Sequence, residues 1–344
     1  MSSLPKTYKH AVFKANGEAL VIEETALKLP REGEILVKVE ACGVCYSDMF
    51  AKHSVMGGGF PICPGHEIIG EVAAVGPGVS GWEIDDRIGA GWHGGHDDEC
   101  RACKKGLYQM CENQIITGQT KNGGYAEYCT IRAEAAVRIP EHVDAAKWAP
   151  ILCAGMTVYN AIRHMDIPVG ETVAIQGIGG LGHLAVQYAT RMGYRVVAIS
   201  RGAEKERYAR TLGAHEYINA TDPRVGDIGL ALKKLGGASL IVTTAPKAES
   251  MTPLLKGLEV LGKLLILSAP GELTINTTEM KKKGISVQSW PCGHARDAEE
   301  TIAFTELQRI FCMSQKFSLN QAQEAYDAMM EGGVRFRAVI VPQL

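Results

Sequence analysis

Three short stretches that lie far apart in the chain carry side chains able to bind one metal ion. They contain Cys45 in ACGVCYSD, His66 and Glu67 in PGHE, and Cys153 in PILCAG. Two thiolates, an imidazole and a carboxylate are donors that tetrahedral zinc accepts, and a catalytic zinc keeps one position free for water or substrate. Zinc held there would polarise a carbonyl or alcohol oxygen as a Lewis acid.

A glycine-rich turn in the second half of the chain predicts a dinucleotide site. The sequence QGIGGLGHLAVQYA follows the strand-like run TVAIQ and opens a segment of helical apolar period. The first glycine permits a tight turn, the second lets the backbone approach a pyrophosphate, and the following helix offers unpaired N–H groups. Zinc beside a nicotinamide indicates hydride transfer at a carbonyl or alcohol carbon. The predicted loop comprises Gly177, Gly179, Gly180, Leu181 and Gly182.

The sequence motifs around these residues resemble those of a known protein family. ACGVCYSD, FPICPGHEIIGEV, GGYAEY and APILCAGMTVYNA occur in this order, and the chain resembles the zinc-containing medium-chain alcohol dehydrogenases from end to end. The resemblance implies that Cys45, His66 and Cys153 bind the catalytic zinc. It implies that Glu67 is either a fourth, exchangeable ligand or a carboxylate beside the ligands.

The resemblance also implies a route for the proton. Ser47 corresponds to the family's Ser/Thr that hydrogen-bonds the substrate oxygen at zinc and starts a relay. Many members continue the relay through a histidine three residues later, where this chain has Phe50. We expect Asp48 to accept the second N–H of His66 and so fix its tautomer and orientation.

A second cysteine cluster predicts a structural metal site. Cys100, Cys103 and Cys111 are spaced C-x2-C-x7-C in HDDECRACKKGLYQMC. Family members usually hold a structural zinc here with four cysteines, and Asp97 stands where the first of them is expected. A carboxylate oxygen is an acceptable zinc ligand, and His96 is an alternative donor. The other interpretation is a lobe that has lost its metal.

The second strand of the predicted dinucleotide fold bears on the choice of cofactor. An acidic residue at its end would bind the ribose 2′-hydroxyl of NAD, but this chain has Ser200, followed by Arg201 and Lys205. A hydroxyl and two cations suit a 2′-phosphate and resemble the NADP-dependent cinnamyl-alcohol-type branch, so NADP(H) is preferred over NAD(H). The alternative is that both cations are solvated surface charges. The family resemblance further places Arg337 on the pyrophosphate and Thr157 against the nicotinamide ring.

The order of strand-like and helix-like segments along the chain predicts two domains of an α/β protein. Short β-rich runs and Gly/Pro-rich loops before position 154 suit a largely antiparallel, barrel-like β domain, which the family resemblance implies is GroES-like. The runs TVAIQG, RVVAIS, SLIVTTA, KLLILSA and ISVQSW then alternate with helical segments, which is typical of a doubly wound parallel Rossmann sheet. We expect a catalytic domain of residues 1–153 and 292–344, with a structural-zinc lobe at 93–115, and a cofactor domain of residues 154–291.

Composition restricts the partners. The 344 residues are 46% hydrophobic and 22% charged, with a net charge of −2, which gives no electrostatic reason to expect nucleic acid or an anionic membrane. No apolar run approaches the ~20 residues that span a bilayer, and MSSLPKTYKH lacks the apolar core of a secretory signal. Ten cysteines without an export signal favour metal binding over disulfides. We expect a cytoplasmic protein.

These observations converge on one function with two alternatives. We expect a zinc-dependent, NADP(H)-linked alcohol dehydrogenase that binds two zinc ions and works mainly as a reductase of apolar or aromatic aldehydes. Tyr46, Phe50 and Trp92 are the expected pocket residues. The alternatives are an NAD-linked alcohol-oxidising enzyme of the same fold, or a non-catalytic cofactor-binding relative. Relatives pair through the edge of the cofactor-domain sheet, so a homodimer or homotetramer is expected.

Overall fold

The computed structural model describes residues 4–344. Contacts divide the chain into two compact units. The first unit comprises the described part of Met1–Met156 together with Cys292–Leu307 and Phe311–Leu344, and the second comprises Thr157–Pro291 and Gln308–Ile310. Within residues 4–344, no helix combines the length and the apolar character needed to cross a membrane.

The first unit is built mainly from antiparallel strands. Its helices are α1 (Asp48–Lys52), α2 (Ala145–Trp148), α8 (Ala295–Leu307) and α9 (Ala322–Met330), and α3 (Ala154–Arg163) begins in it. Its strands are β1 (Thr7–Phe13), β2 (Leu20–Ala26), β3 (Glu34–Val44), β4 (Ile68–Val75), β5 (Arg87–Ala90), β6 (His93–Gly95), β7 (Ile115–Ile116), β8 (Tyr128–Arg132), β9 (Val137–Arg138), β16 (Ser314–Ser318) and β17 (Arg337–Val341).

The main sheet of the first unit is organised around β3. Its order is β16-β17-β3-β4-β5-β9, with β8 also paired to β3, and every pair is antiparallel except β16 with β17. The sequence of β3, EILVKVEACGV, buries most of its side chains, because it lies inside the sheet and contributes to apolar clusters of the unit. The predicted GroES-like, largely antiparallel domain is confirmed.

The register of β3 brings distant residues together at one end of the sheet. Cys42 is paired with Ile68 of β4, and the N–H of Gly43 donates to the carbonyl of Glu67 at 3.0 Å. Val44 is paired with Ala338 of β17. Because the three strands meet here, the residues just after β3, just before β4 and at the start of β17 become neighbours.

The second unit is a parallel sheet with helices between its strands. The strands are β10 (Thr172–Gln176), β11 (Arg195–Ser200), β12 (Glu216–Asn219), β13 (Ala238–Thr243), β14 (Leu258–Ile266) and β15 (Ser286–Ser289). The helices are α4 (Gly182–Arg191), α5 (Glu204–Thr211), α6 (Ile228–Lys234) and α7 (Thr277–Lys283).

The strand order of this sheet is β12-β11-β10-β13-β14-β15, all parallel. Numbered from β10, this is the 3-2-1-4-5-6 order of the doubly wound dinucleotide fold, which binds its ligand where the order reverses. The central strands read as continuous apolar runs because both faces of the sheet are covered. The predicted Rossmann domain is confirmed.

Candidate metal and cofactor sites

Four buried donors meet at the end of β3. One donor atom from each of Cys45, His66, Glu67 and Cys153 lies within 4.8 Å of the others. The two sulfur atoms are 4.0 Å apart. Two thiolates on one tetrahedral zinc, each at about 2.3 Å, would be separated by about 3.8 Å. The thiol spacing therefore fits zinc without a change of fold.

The protonation chemistry of these thiols also calls for a cation. The neighbouring thiol of Cys153 holds the pKa of Cys45 well below its usual range. The pKa of Cys153 is raised well above its usual range by its contacts with Cys292 and Cys45. Side by side and buried, the two groups resist being ionised together. A divalent cation would stabilise both thiolates, as metal binding requires.

Both ring nitrogens of His66 lack a regular hydrogen bond within the described chain. Its Nδ1 lies 3.1 Å from Asp48 Oδ1. Its Nε2 is buried and has no hydrogen-bond partner within the described chain. A buried polar atom without a partner costs free energy, and coordination of a metal would remove that cost. The donor set as a whole fits the zinc that the sequence predicts.

Glu67 is held by an arginine. Its Oε1 accepts a hydrogen bond from Nη2 of Arg337, and both side chains are buried. Burial raises the pKa of Glu67 to about 7, although Arg337 acts in the opposite direction. Gly43 makes room for this carboxylate, since a Cβ there would lie 1.8 Å from Glu67 Oε2.

Arg337 lies beside the four metal donors. The sequence places it on the cofactor's pyrophosphate, but its side chain is only 3% exposed and is engaged with Glu67 in the first unit. The reason is the pairing of β17 with β3, which directs the start of β17 at the donor cluster. Contact with a pyrophosphate stays a prediction.

Asp48 lies beneath the donor cluster. Besides facing His66, its carboxylate accepts a hydrogen bond from the backbone N–H of Cys45 at 2.9 Å and one from the hydroxyl of Tyr125 at 2.7 Å. Tyr125 was not among the residues that the sequence pointed to. The signal available was its place in the GGYAEY motif, but nothing local connects that motif to position 48.

The residues predicted for the proton relay and the substrate pocket differ in their exposure and contacts. Ser47 is half-buried just before α1, and within the described chain its side chain caps no helix N–H. Trp92 packs edge-on against the His66 ring, with ring centroids 4.9 Å apart. Phe50 is half-buried on α1, whereas Tyr46 is 47% exposed. Of the three predicted pocket residues, Trp92 is the one seen against a donor residue.

The lobe at residues 93–115 also brings four possible metal donors together. One donor atom from each of Asp97, Cys100, Cys103 and Cys111 lies within 4.8 Å of the others. The backbone N–H of Cys100, followed by the side chain of Asn113, holds the pKa of Asp97 well below its usual range. An ionised carboxylate beside three thiols fits a zinc ion.

The structure separates the two candidate fourth donors of the lobe. His96 has one ring nitrogen 3.1 Å from Nε2 of His93 and the other 3.1 Å from Asp98. It is also stacked on Tyr108, with centroids 4.0 Å apart. Asp97 lies within the group of donors and His96 does not. A carboxylate oxygen that accepts a hydrogen bond also keeps a lone pair for a metal, so the geometry favours Asp97.

The glycine loop has the shape of a pyrophosphate cradle. Gly177 adopts φ +92° at the end of β10, a conformation that favours glycine. A Cβ on Gly182 would lie 1.7 Å from the Gly177 carbonyl oxygen, so only glycine lets α4 begin this close to the strand. Nothing lies within 4 Å of a Cβ placed on Gly179, where a ligand can approach. Gly180 and Leu181 lead into α4.

The residues expected at the ribose lie at the end of β11. Ser200 is 7% exposed, and its hydroxyl is 3.5 Å from the backbone nitrogen of Ile178 in the glycine loop. Arg201 is exposed just after the strand, and Lys205 is half-buried in the first turn of α5. Thr157 is 9% exposed on α3.

Two family models match the chain. The alcohol dehydrogenase GroES-like domain matches residues 31–141, and the zinc-binding dehydrogenase model matches residues 180–307. Alcohol dehydrogenase patD of Penicillium expansum is 62% identical over 98% of this chain and 99% of its own length. Alcohol dehydrogenase notN of an Aspergillus species is 60% identical, with the same coverage.

A solved structure shares the fold over nearly the whole chain. The cinnamyl alcohol dehydrogenase of Sorghum bicolor has a TM-score of 0.88 and 25% identity, covering 98% of each chain. The chain therefore belongs to the zinc-containing medium-chain alcohol dehydrogenase family. Its activity is that of an alcohol dehydrogenase, an oxidoreductase that acts on small molecules with a nicotinamide cofactor.

Proposed function

We propose that the protein is a zinc-dependent, NADP(H)-linked alcohol dehydrogenase that works mainly as an aldehyde reductase. The observation that carries the proposal is the buried group of donors from Cys45, His66, Glu67 and Cys153. Two thiolates and an imidazole retain zinc, and a site of this kind keeps a position for a substrate oxygen. A non-catalytic relative would have no need for such an intact donor group.

The chain's own residues have distinct parts in the reaction. Cys45, His66 and Cys153 would hold zinc, which when bound supplies Lewis acidity toward the substrate oxygen. Ser47 would hold the proton that moves to or from that oxygen. Asp48 orients the imidazole of His66, to which it lies at 3.1 Å.

Glu67, one of the four donors, forms an ion pair with Arg337. Their ion pair is buried, so the arginine neutralises a carboxylate that would otherwise be an uncompensated charge. Held in this way, Glu67 can serve as an exchangeable ligand or remain beside the other three. Both alternatives use the same geometry.

The preference for NADP(H) rests on the loop after β11. A carboxylate at Ser200 would repel a 2′-phosphate, whereas a hydroxyl followed by Arg201 and Lys205 attracts one. One charge-assisted hydrogen bond contributes about 1.5–3 kcal/mol, which exceeds tenfold in affinity. We therefore expect at least a tenfold preference for NADPH over NADH in kcat/KM.

One observation favours the second candidate, an NAD(H)-linked alcohol-oxidising enzyme. The carboxylate of Glu204 lies against Gly202, since both of its oxygens are 2.3 Å from an ideal Cβ there. An acidic group in this loop suits a ribose hydroxyl and opposes a phosphate. The choice between NADP(H) and NAD(H) therefore depends on whether the positive charges of Arg201 and Lys205 or the negative charge of Glu204 has the larger effect at the ribose.

The substrate class is proposed to be apolar or aromatic aldehydes. The ring of Trp92 stands edge-on to His66 at 4.9 Å and offers an apolar surface beside the donor group. The sorghum relative is named for cinnamyl alcohol, which is an aromatic alcohol. For assembly, we propose a homodimer or homotetramer that uses the edge strand β15.

The experiment is an aldehyde panel assayed with NADPH and NADH, with zinc measured in the same preparation. Arg201→Ala should reduce kcat/KM with NADPH about tenfold or more and leave NADH unaffected. Arg207→Ala, an exposed arginine on the same helix as Glu204, is the matched control. A clear NADH preference in the unaltered enzyme would refute the NADP(H) proposal, and a zinc-free active enzyme would refute the zinc proposal.

A further inference from the structure

One buried carboxylate contacts two of the proposed catalytic-zinc ligands. Asp48 is 0% exposed. One of its oxygens lies 3.1 Å from Nδ1 of His66, and the other accepts the backbone N–H of Cys45 at 2.9 Å. A rotation of this carboxylate would therefore break its contacts with the imidazole of His66 and with the backbone of Cys45, so the group that fixes Asp48 also helps to position both residues.

The hydroxyl of Tyr125 is the side-chain donor to the second oxygen. It donates to Asp48 Oδ2 at 2.7 Å. A hydrogen bond to a carboxylate is stronger than one between neutral groups, so this hydroxyl restrains the orientation of Asp48. Without this hydroxyl, the N–H of Cys45 would be the one remaining donor to Oδ2 among residues 4–344.

The position of Tyr125 is itself tightly determined. Its ring is 0% exposed and lies so close to Gly65 that a Cβ there would come within 2.4 Å of ring atom Cδ1. Its N–H donates to the carbonyl of Pro64 at 3.1 Å, and its carbonyl accepts from Ala11 at 2.8 Å. The ring thus packs against the residue that immediately precedes His66.

We propose that Tyr125 is a positioning residue for the catalytic metal site. Its hydroxyl holds Asp48 in the orientation that presents His66 Nε2 and the Cys45 thiolate to the metal, and its ring supports the backbone before His66. The inference rests on the proposed ligand set, because it concerns how two members of that set are oriented.

A purely structural hydroxyl is the competing explanation, and the chain offers a matched control for it. Tyr194 is 8% exposed, and its hydroxyl donates to the carbonyl of Ile167 at 3.1 Å. Replacing either tyrosine by phenylalanine removes one buried hydroxyl with a hydrogen bond. Only at position 125 is that bond linked to metal ligands.

The test uses the full chain loaded with zinc. Zinc affinity is measured by chelator competition, and the visible spectrum is recorded after replacement of zinc by Co²⁺, whose absorption reports ligand geometry. Tyr125→Phe should weaken zinc binding about tenfold, at the lower end of the ~10–100-fold effect of groups that orient ligands, and should shift the cobalt bands. Tyr194→Phe should change neither. The lobe site is common to all variants and cancels in the comparison.

A double-mutant cycle tests the route of action. If Tyr125 acts through Asp48, Tyr125→Phe should have little further effect on zinc affinity in an Asp48→Asn background. Equal zinc affinity and an unchanged cobalt spectrum in Tyr125→Phe would overturn the inference, even if that variant were less stable. So would a full additional loss in the Asp48→Asn background.

His66→Ala separates this inference from the function on which it rests. Loss of catalytic zinc in His66→Ala, together with an unaffected Tyr125→Phe, would remove only the role of Tyr125. Retention of that zinc in His66→Ala would instead refute the ligand assignment itself.

Discussion

Replacing Arg337 by methionine tests the buried ion pair beside the donor group. The arginine is 3% exposed and its partner Glu67 is 0% exposed. Methionine keeps the length and apolar stem of the side chain but removes the charge, so Glu67 is left buried without its partner. Breaking a buried pair in this way costs about 3–5 kcal/mol. We expect the free energy of unfolding to fall by that amount.

The assay is urea unfolding followed by tryptophan fluorescence and circular dichroism. Arg335→Met is the matched control, because Arg335 is exposed two residues earlier and surface changes are usually within about 0.5 kcal/mol. The double variant Glu67→Gln/Arg337→Met should recover most of the lost stability, since no charge remains buried alone. If Arg337→Met costs no more than the control, or if the two changes simply add, the argument is refuted.

The same double variant decides the other role predicted for this arginine. If Arg337 serves only Glu67, the Kd for NADPH should equal that of the Glu67→Gln single variant. If it also contacts the pyrophosphate, the double variant should bind NADPH about tenfold more weakly, as expected for a lost charge-assisted bond.

Three further predictions address other residues. Ser47→Ala should reduce kcat on the order of 100-fold, as expected for loss of a proton-transferring group, with the zinc content unchanged; an unaltered kcat would exclude the relay role. Asp97→Ala should lower bound zinc from two ions to one per chain by metal analysis, whereas Asp97→Cys should retain both; equal zinc in all three proteins would show that Asp97 is not a ligand. Burial lowers the pKa of His93 from 6.5 to about 3. Between these two pH values the histidine is protonated in the unfolded chain and neutral in the folded chain. The free energy of unfolding should therefore fall below pH 6.5 by up to ~1.4 kcal/mol per pH unit. In urea unfolding, His93→Gln should lose less stability than the unaltered protein when the pH is lowered from 7.5 to 5.5. An equal loss in both proteins would contradict this.

The fold class could be predicted because its signals are local. The glycine loop, the strand-like runs and their alternation with helical segments are all visible in continuous stretches of sequence. The observed parallel sheet agrees with that alternation. The donor types are equally local, since a cysteine or histidine is recognisable wherever it stands. What the local pattern lacks is the distance between such residues.

Packing favours one of two alternatives that the sequence left open for the fourth donor of the lobe. Asp97 and His96 are adjacent and both are acceptable zinc donors, but the ring of His96 is stacked on Tyr108 and bonded to His93 and Asp98. Nothing in the local motif announces those contacts, because they depend on how the lobe folds back on itself.

The sequence by itself indicated the chemistry available to this protein: side chains that can bind zinc, a glycine loop suited to a pyrophosphate, and a hydroxyl with two cations predicted to lie at the ribose. The tertiary structure decided which side chains support that chemistry. The register that pairs Cys42 with Ile68 and Val44 with Ala338 brings Glu67 and Arg337 together across 270 positions of chain, and Tyr125 reaches Asp48 across 77. Such partners are set by strand pairing and close packing rather than by neighbours in sequence, so they become visible only when the chain is folded.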